Sequence, residues 1–410
     1  MRVKHLVIPF LLALIMVMFH NVFFETFTRA NLYFSNEKIA NLESVSPVKL
    51  FDRAWKSISK DYFDSTMNNQ NWNYWKTRYI HKIKTEDDAK VAIDTMIASL
   101  NEPYTRFMSK KDFDDLTTSI TSKIFGIGVN IYSNSGKIEI FNVIPSTPAE
   151  LAQVKQGDII IAVDGKDING MNVSDVAGLV RGPENSVVEL TLLRNGKKLL
   201  KKIKRKEIKI KNVKSSVLDN NIGYIQIISF MGGSTPSEFM DALENTKDTD
   251  SLIIDLRSNT GGLLDNAVFI ANLFIPEGEI VEIIYKNGNK KSIMAKPQKT
   301  VLNKPLIVLV NGASASASEI LSGALKDYNK ARLVGKKTFG KGLVQKVVPL
   351  PNETGLNVTI ARYLTPNGTD INKLGIKPDI EIGNEFDFFT NGSKRDIQLE
   401  TAKELLSKGL

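Results

Sequence analysis

The sequence predicts a multidomain protein of mixed α/β and α+β class, with a helical N-terminal domain, a small α+β domain and an α/β core of the βαβ type. Three observations predict it: amphipathic helical patterns near the start, short strands and turns in the middle, and apolar strands alternating with helices in the last half. The 410 residues fit two or three domains at about 150 residues each. We place the boundaries at 1–30, 31–118, 119–206 and 207–410.

The composition excludes several kinds of site. Hydrophobic residues make up 42% and charged residues 24%, which argues against a disordered chain or a polytopic membrane protein. There is no cysteine, and the three histidines are His5, His20 and His81. Disulfides, thiolate metal sites and a cysteine nucleophile are therefore excluded, and a histidine-based triad or a multi-histidine metal site is nearly excluded. We expect neither a metal nor another cofactor.

The first thirty residues predict export. Arg2 and Lys4 precede the apolar run at residues 6–19, and this order keeps the N-terminus in the cytoplasm. The favoured interpretation is an uncleaved, single-pass anchor in the cell membrane, with the rest of the chain on the extracytoplasmic side. The alternative is a signal peptide whose removal leaves a secreted or periplasmic protein, although Arg29 makes the cleavage site poor. A buried core helix is the third interpretation.

The region from residue 31 to residue 118 is predicted to be helical. Residues 48–62 place apolar side chains on one helical face, and residues 87–100 do the same. We assign no chemistry to this domain. Homo-oligomerisation through it stays open.

Near Gly126 the sequence pattern changes from helical segments to short strands and turns. Thr147 is expected to cap a short helix, with Glu150 completing a capping box. The Asn195-Gly196 pair predicts a tight hairpin turn. The remaining predicted elements are strands at 137–144 and 159–163 and a helix at 173–180.

This ordered set resembles a PDZ domain. The resemblance rests on Gly126-Ile127-Gly128-Val129, the strand after it, PAELA, GDIIIAVDG and the helix that ends in Arg181-Gly182. It implies that Gly126, Ile127, Gly128 and Val129 bind a peptide's terminal carboxylate through backbone N–H groups, while the adjacent strand edge pairs with the peptide. The alternative is an ordinary hairpin that needs its glycines for a turn.

The formal excess of positive charge lies in residues 197–214. This stretch holds ten basic residues against Glu207, which accounts for the net charge of +9. Ile203, Ile208 and Ile210 among the lysines suggest solvated strands, whose outward charges discourage edge pairing. We expect the stretch to be a solvated connector between domains, or one that faces a membrane surface. Nucleic acid is not expected, because aromatic residues are not interleaved with the charges.

From residue 222 onward, buried strands alternate with helices. Continuous apolar strands of this kind argue for a sheet covered on both faces. The predicted strands are 223–230, 251–257 and 305–310, and the predicted helices are 235–243, 263–274, 316–328 and 396–407.

Two loops at the carboxyl ends of these strands hold candidate chemistry. Residues 311–319 (NGASASASE) join a strand to a helix, a position that lifts a serine out of the sheet beside the helix N-terminus. A serine-rich helix cap is the alternative. Residues 255–262 (DLRSNTGG) lie at the same sheet edge, and the N–H groups of Gly261 and Gly262 suit an oxyanion hole. Glycines that only close a turn are the alternative.

A third loop, residues 337–345 (KTFGKGLVQ), supplies the candidate base. A nucleophilic serine needs one, and no histidine follows residue 81. A lysine serves near neutral pH if its pKa falls by about 3 units, which requires burial. Two glycines and Phe339 around Lys341 are compatible with burial. In an extended strand Lys341, Leu343 and Gln345 share a face, so that Gln345 can orient the amine.

Together the three segments resemble the carboxyl-terminal processing (tail-specific) proteases, which are serine peptidases with a Ser–Lys dyad. The shared patterns are D-L-R-x-N-x-G-G, S-A-S-A-S-E and T-F-G-K-G-x-x-Q, and the resemblance covers about residues 50–410. It implies Ser316 as nucleophile, Lys341 as general base and Gln345 as its orienting partner. It also implies an oxyanion hole from the backbone N–H of Ala317 and of Gly261 or Gly262. Arg181 corresponds to a position that couples peptide occupancy to active-site assembly in some relatives.

The implied function is a serine endopeptidase. It recognises the C-terminal tails of exported or membrane proteins through its PDZ domain and cleaves them through an acyl-enzyme. A PDZ adaptor without activity is the rival from another class, and the presence of both Ser316 and Lys341 argues against it. A chymotrypsin-like PDZ protease fails for want of a catalytic histidine.

Overall fold

The computed structural model describes residues 44–121, 123–134, 136–209, 211–297, 302–383 and 396–409. The apolar segment at residues 6–19, which we interpret as an anchor or signal, lies outside these ranges. Within them, every helix is too short or too polar to cross a membrane.

The helices and strands alternate along most of the chain. The helices are α1 (Pro47–Asp61), α2 (Trp72–Tyr79), α3 (Glu86–Ala98), α4 (Lys110–Thr121), α5 (Pro148–Leu151), α6 (Val173–Val180), α7 (Thr235–Asn245), α8 (Leu264–Asn272), α9 (Ala317–Asp327) and α10 (Ile397–Ser407). The strands are β1 (Arg106–Met108), β2 (Lys123–Gly126), β3 (Val129–Asn134), β4 (Lys137–Val143), β5 (Ile159–Val163), β6 (Lys166–Asp167), β7 (Val187–Arg194), β8 (Lys197–Lys204), β9 (Lys206–Lys209), β10 (Val213–Leu218), β11 (Ile222–Ile227), β12 (Ser251–Asp255), β13 (Glu279–Tyr285), β14 (Lys290–Met294), β15 (Leu306–Val310), β16 (Arg332–Gly335), β17 (Leu343–Leu350), β18 (Thr354–Leu364) and β19 (Ile380–Glu381).

The chain divides into two compact units. One lies within Met1–Asp114, Ser215–Phe230 and Ala242–Leu410, and the other within Asp115–Lys214 and Met231–Asp241. In the smaller unit the main sheet has the order β3-β4-β5-β7-β8, so β3 is an edge strand, and α6 packs beside it. A free strand edge next to a helix is the arrangement that receives an added peptide strand.

Local sequence signals predicted several elements of this unit correctly. Strand β5 and helix α6 have the predicted bounds, and Asn195 (φ 49°) and Gly196 (φ 77°) form the two-residue turn between β7 and β8. The capping box at α5 is wrong. The Glu150 carboxylate accepts the backbone N–H of Ser146 at 2.7 Å, and the Thr147 hydroxyl donates to the Ile144 carbonyl at 2.6 Å.

The basic stretch is not the solvated connector that we expected. Its first part is β8, which pairs antiparallel with β7, and its next part is β9, which pairs with β2. Arg205 is buried, and its guanidinium donates to the carbonyls of Val180 and Leu179. Ile203 and Ile208 are buried as well. The strands that the isoleucine pattern suggests are therefore present, but they belong to the smaller unit, with their lysines on the strands and not on a connector.

The larger unit holds the predicted βαβ core. A six-stranded sheet has the order β10-β11-β12-β15-β16-β19, and the strands from β11 to β19 are parallel. Every residue of β12 and of β15 is buried, as their continuous apolar sequences predict. Parallel strands bring the loops after β12 and β15 to the same sheet edge. The predicted fold class is confirmed.

A second sheet of the larger unit carries the N-terminal helices. Its order is β1-β18-β13-β14, with β17 also paired to β18. Phe51 and Ile58 of α1 and Met96 of α3 are fully buried in one hydrophobic cluster with Leu356 and Val358 of β18. The helical N-terminal segment therefore shares a core with this sheet, and the β1 strand that follows it pairs antiparallel with β18.

Candidate active site

Ser316 stands at the sharp turn between β15 and α9. It is the N-cap of α9, with φ 57° and ψ −116°, a backbone conformation that costs a non-glycine residue about 1–3 kcal/mol. The other two serines of the loop are fully buried, and their hydroxyls donate to backbone carbonyls: Ser314 to Leu256 at 2.8 Å and Ser318 to Asn259 at 2.9 Å. Ser316 is only half-buried. The structure thus separates one accessible serine from two structural ones.

The glycine pair lies against this turn. Gly261 has φ 98°, and a Cβ built on it would come within 2.8 Å of Ser316 Cβ and 2.9 Å of the Ala317 nitrogen. Glycine is therefore required there for close approach of two backbones. The N–H of Gly261 donates to Asn259 Oδ1 at 2.9 Å, so its proton is already used. The N–H of Ala315 donates to the Asn259 carbonyl at 3.0 Å, which ties the two loops together.

An ion-pair network anchors the start of the glycine loop. The Arg257 guanidinium donates to the buried Asp255 carboxylate at 2.6 Å and to Asp396 at 2.8 Å. The Tyr224 hydroxyl donates to Asp255 at 2.6 Å. Burial, together with the charge of Asp255, raises the pKa of Tyr224, so this hydroxyl remains a donor at neutral pH.

Glu319 joins the serine loop to the lysine loop. Its side chain is fully buried at 0% exposure, and one oxygen, Oε2, accepts the backbone N–H groups of Ser316 and Lys341, each at 2.9 Å. The other oxygen accepts the Thr338 hydroxyl at 2.6 Å and the Gly340 N–H at 2.7 Å. Two backbone nitrogens that donate hydrogen bonds to the same oxygen atom must lie close together. The structure therefore brings the backbones of Ser316 and Lys341 together.

Tyr363 joins the same two residues from the other side. Its hydroxyl lies 3.1 Å from the Ser316 carbonyl oxygen and 2.5 Å from that of Lys341. A phenol has one proton, so it donates to one carbonyl at a time. Burial raises the pKa of Tyr363 well above its ordinary value, which keeps the proton in place.

Lys341 lies in a loop and not in the extended strand that we expected, because β17 begins at Leu343. Its side chain is half-buried, and removal from water, the largest cause, lowers its pKa. The nearby Arg106 lowers the pKa further, while Glu102 and Glu319 raise it. The direction is the one that a lysine base requires.

Gln345 does not share a strand face with Lys341 in the simple alternation that we expected. A β-bulge between Val344 and Gln345 shifts the register against β18. The Gln345 side-chain amide donates to Thr359 Oγ1 at 3.5 Å, a long hydrogen bond. Its assignment as orienting partner of Lys341 therefore remains a prediction.

A segment to which we assigned no chemistry places an aromatic ring beside the Lys341 amine. Phe339, expected to help, is 56% exposed. The Nζ atom of Lys341 instead lies 5.0 Å from the centre of the Tyr104 ring. Sequence reasoning missed Tyr104 and Glu102 because they follow the N-terminal helices. It also gave Glu319 no role, although Ser-x-x-Glu before a helix is a capping-box signal.

The predicted peptide-binding residues lie in the smaller unit. Gly126 ends β2 and Val129 begins the edge strand β3. The Ile127 carbonyl accepts the Ala149 N–H at 2.8 Å, and Gly128 has φ 86°. A Cβ on Gly128 would come within 2.3 Å of Thr147, so this position too requires glycine.

Arg181, the C-cap of α6, forms an ion pair with Asp115 at 3.4 Å. Both side chains are about half exposed, at 45% and 51%, and such pairs contribute about 0–1 kcal/mol. Within the described ranges, no group of three His, Cys, Asp or Glu side chains could hold a metal ion.

Comparisons with known proteins agree with this geometry. The sequence matches the family model of Peptidase family S41 over residues 221–382 and that of a PDZ domain over residues 139–194. It is 34% identical to a carboxyl-terminal-processing protease of Synechocystis over 399 residues, which cover 94% of this chain and 93% of the relative. It is 39% identical to the carboxy-terminal processing protease CtpA of Bacillus subtilis over 324 residues, which cover 78% of this chain and 69% of the relative.

The solved structure of a photosystem II D1 C-terminal processing protease has the same fold. The TM-score is 0.56 at 31% sequence identity, and the match covers 82% of this chain and 93% of that one. The PDZ match contains β4 to β7, and the S41 match contains both the glycine loop and the serine loop. The resemblance inferred from the motifs is therefore confirmed: this chain belongs to the carboxyl-terminal-processing proteases, serine-type peptidases of family S41 that carry a PDZ domain.

Proposed function

We propose that this protease cleaves peptide bonds with a Ser316–Lys341 dyad. One observation carries the proposal. The backbone N–H groups of Ser316 and Lys341 donate to the same carboxylate, that of Glu319, and burial lowers the pKa of Lys341. A strained turn presents the serine, and a desolvated amine supplies a base in a chain without a suitable histidine.

The reaction proceeds by acyl transfer. The neutral Lys341 amine takes the proton of the Ser316 hydroxyl while the oxygen attacks the scissile carbonyl. The tetrahedral intermediate collapses, the Lys341 ammonium protonates the leaving amine, and an ester to Ser316 remains. A water molecule then loses a proton to Lys341, attacks the ester and releases the acid product, with the proton returned to Ser316. We retain Gln345 as the residue that orients the amine.

Two backbone N–H groups are proposed to hold the oxyanion. Ala317 is the first residue of α9, where the helix dipole favours negative charge. Because the Gly261 N–H already donates to Asn259, we assign the second donor to Gly262. Loss of one such donor reduces kcat by about 10²–10³ in serine peptidases.

The test is turnover of an unfolded protein substrate by purified full-length variants. Ser316→Ala and Lys341→Ala are expected to lose cleavage while their far-UV spectra and peptide binding stay those of the wild type. Lys337→Ala is the matched control, because Lys337 lies in the same loop and is exposed. Substantial cleavage by both site variants would overturn the dyad, and tail binding without cleavage by the wild type would favour an adaptor.

We further propose that the PDZ domain recognises C-terminal tails. Its support is the edge strand β3 beside α6 and the glycine-bounded turn at residues 126–129 that precedes it. A substrate with a free terminal carboxylate should be cleaved faster than the same sequence ending in an amide, because backbone N–H groups bind the charge. Equal rates for the two substrates would contradict tail recognition.

The site of action is proposed to be extracytoplasmic. The support is in the sequence, where Arg2 and Lys4 precede the apolar residues 6–19. Fractionation of cells followed by intact-mass measurement would distinguish a retained membrane anchor from a removed signal peptide. Full-length protein found only in the cytoplasm would contradict export.

A further inference from the structure

The amine of Lys341 lies beside an aromatic ring, that of Tyr104, which belongs to neither the serine loop nor the lysine loop. The Tyr104 ring centre lies 5.0 Å from Lys341 Nζ, within the range of a cation–π contact. The other aromatic residue near the base in sequence, Phe339, faces solvent. Tyr104 is therefore the aromatic residue that lies against the Lys341 amine, and it comes from outside the lysine loop.

The turn that carries Tyr104 is held firmly. The Glu102 carboxylate accepts the backbone N–H groups of Tyr104 at 2.7 Å and of Thr105 at 2.9 Å. It also accepts the hydroxyls of Thr105 and Thr359, each at 2.8 Å. The Thr359 N–H in turn donates to Thr105 Oγ1 at 3.1 Å. These bonds attach the turn to β18, the strand that pairs with β17 directly after the Lys341 loop.

We propose that Tyr104 is a positioning residue for the base: its ring holds the Lys341 amine in place, excludes water from the neutral form and stabilises the ammonium that forms when the serine proton arrives. The proposal rests on the Ser316–Lys341 dyad proposed above and extends it to a residue outside the three catalytic segments. An aromatic ring suits both protonation states, because it is apolar toward an amine and its negative face attracts an ammonium.

Charged groups reach Lys341 from three other elements. Glu102 lies in the turn before β1, Arg106 in β1 and Glu319 in α9, and each affects the proton affinity of the amine. The two carboxylates favour the ammonium, and Arg106 opposes it. The Tyr104 ring, unlike these three groups, carries no charge. Replacing it therefore changes the hydration of the Lys341 amine and the π contact but leaves the net charge of the site unchanged.

Three substitutions separate the two roles of the ring. Tyr104→Phe keeps the ring and should leave kcat within about twofold of wild type at every pH. Tyr104→Leu keeps an apolar wall but removes the π face. The ammonium then loses stabilisation, so the pH inflection of kcat/KM should move lower and the high-pH plateau of kcat should fall about fivefold, with KM unchanged. Tyr104→Ala admits water, so the inflection should move to higher pH and activity at pH 7 should fall.

The decisive measurement is the pH profile of kcat and KM between pH 6 and pH 10, with urea unfolding of each variant. Tyr74→Ala is the control for loss of a tyrosine, because Tyr74 is 52% exposed on α2. An inflection at the wild-type pH in both the leucine and the alanine variants, or a change confined to KM, would overturn the proposal. If Lys341→Ala still cleaved, the dyad itself would fail. If the Ser316 and Lys341 variants are inactive but the Tyr104 variants keep the wild-type pH inflection, the dyad stands and only the role of Tyr104 is refuted.

Discussion

The buried carboxylate of Glu319 accepts the backbone N–H of Lys341 at 2.9 Å. The same carboxylate is the partner of Ser316, so one side chain sets the separation of the proposed nucleophile and base. Removing an acceptor with several buried donors leaves those donors unsatisfied, at about 1–3 kcal/mol each. We therefore expect both catalysis and stability to depend on Glu319.

We expect Glu319→Gln to lower kcat at least tenfold and to reduce the free energy of unfolding by about 2 kcal/mol, since an amide brings N–H groups toward other N–H donors. Urea unfolding and peptidase assays measure the two effects. Glu277→Gln is the control, because Glu277 is exposed in the same unit. Wild-type stability in Glu319→Gln would show that its bonds contribute nothing.

A second prediction concerns the contact between the glycine and serine loops. Gly261→Ala should abolish most activity, because the new methyl group would lie 2.6 Å from the Ala315 carbonyl and 2.8 Å from Ser316 Cβ. Gly288→Ala separates this clash from backbone strain. Gly288 also has a positive φ, 77°, but open space around it. Gly288→Ala should therefore reduce the free energy of unfolding by about 1 kcal/mol and leave the activity unchanged. Equal kcat values for the two variants would contradict the close approach.

The lowered pKa of Lys341 gives activity and stability a defined pH dependence. Activity should rise with pH as the amine loses its proton. The folded protein binds fewer protons than the unfolded chain between the lowered pKa and about 10.4, so this lysine's contribution to stability also rises with pH across that window. Lys341→Met, which carries no charge, should therefore be more stable than wild type at neutral pH, by about 1.4 kcal/mol for each unit of pKa shift, and inactive.

Urea unfolding of wild type and Lys341→Met at pH 7 and at pH 10 tests this sign. The stability difference should shrink at the higher pH. A methionine variant that is less stable than wild type at pH 7, by a difference that shrinks as the pH is raised to 10 and above, would show that the ammonium stabilises the fold.

The turn of the PDZ domain that we propose to bind the tail carboxylate gives a fourth prediction. Gly128→Ala should weaken binding of a labelled C-terminal peptide about tenfold or more, because a Cβ there overlaps the buried Thr147 side chain and displaces the turn. Gly136→Ala has a similar φ, 78°, with nothing near the added methyl group, and should bind normally. Fluorescence anisotropy measures both affinities. Unaltered binding by Gly128→Ala would place the tail elsewhere.

Local patterns in the sequence were sufficient for most elements. The apolar run of β15, followed by small residues and then a helical period, placed Ser316 at a strand-to-helix turn, and α9 begins one residue later. The Asn195-Gly196 turn was readable for the same reason, since both residues adopt positive φ values that few others tolerate. Such signals depend on neighbours within a few positions of the chain.

Contacts between distant segments carried no comparable signal. The Thr359–Glu102 hydrogen bond joins residues 257 positions apart, and it helps to hold the turn that places Tyr104 near the Lys341 amine. The bulge before Gln345 depends on how β17 pairs with β18, and the pairing of the basic strands β8 and β9 with β7 and β2 involves residues distant in the chain.

The sequence alone limited which residues could act as the base. The chain has no cysteine and only three histidines, all before residue 82, so lysine remained as the candidate base for a serine nucleophile. The state of that lysine was decided by folding. Its pKa falls because burial removes the amine from water, and the Tyr104 ring that lies 5.0 Å from Lys341 Nζ comes from a segment far away in the chain.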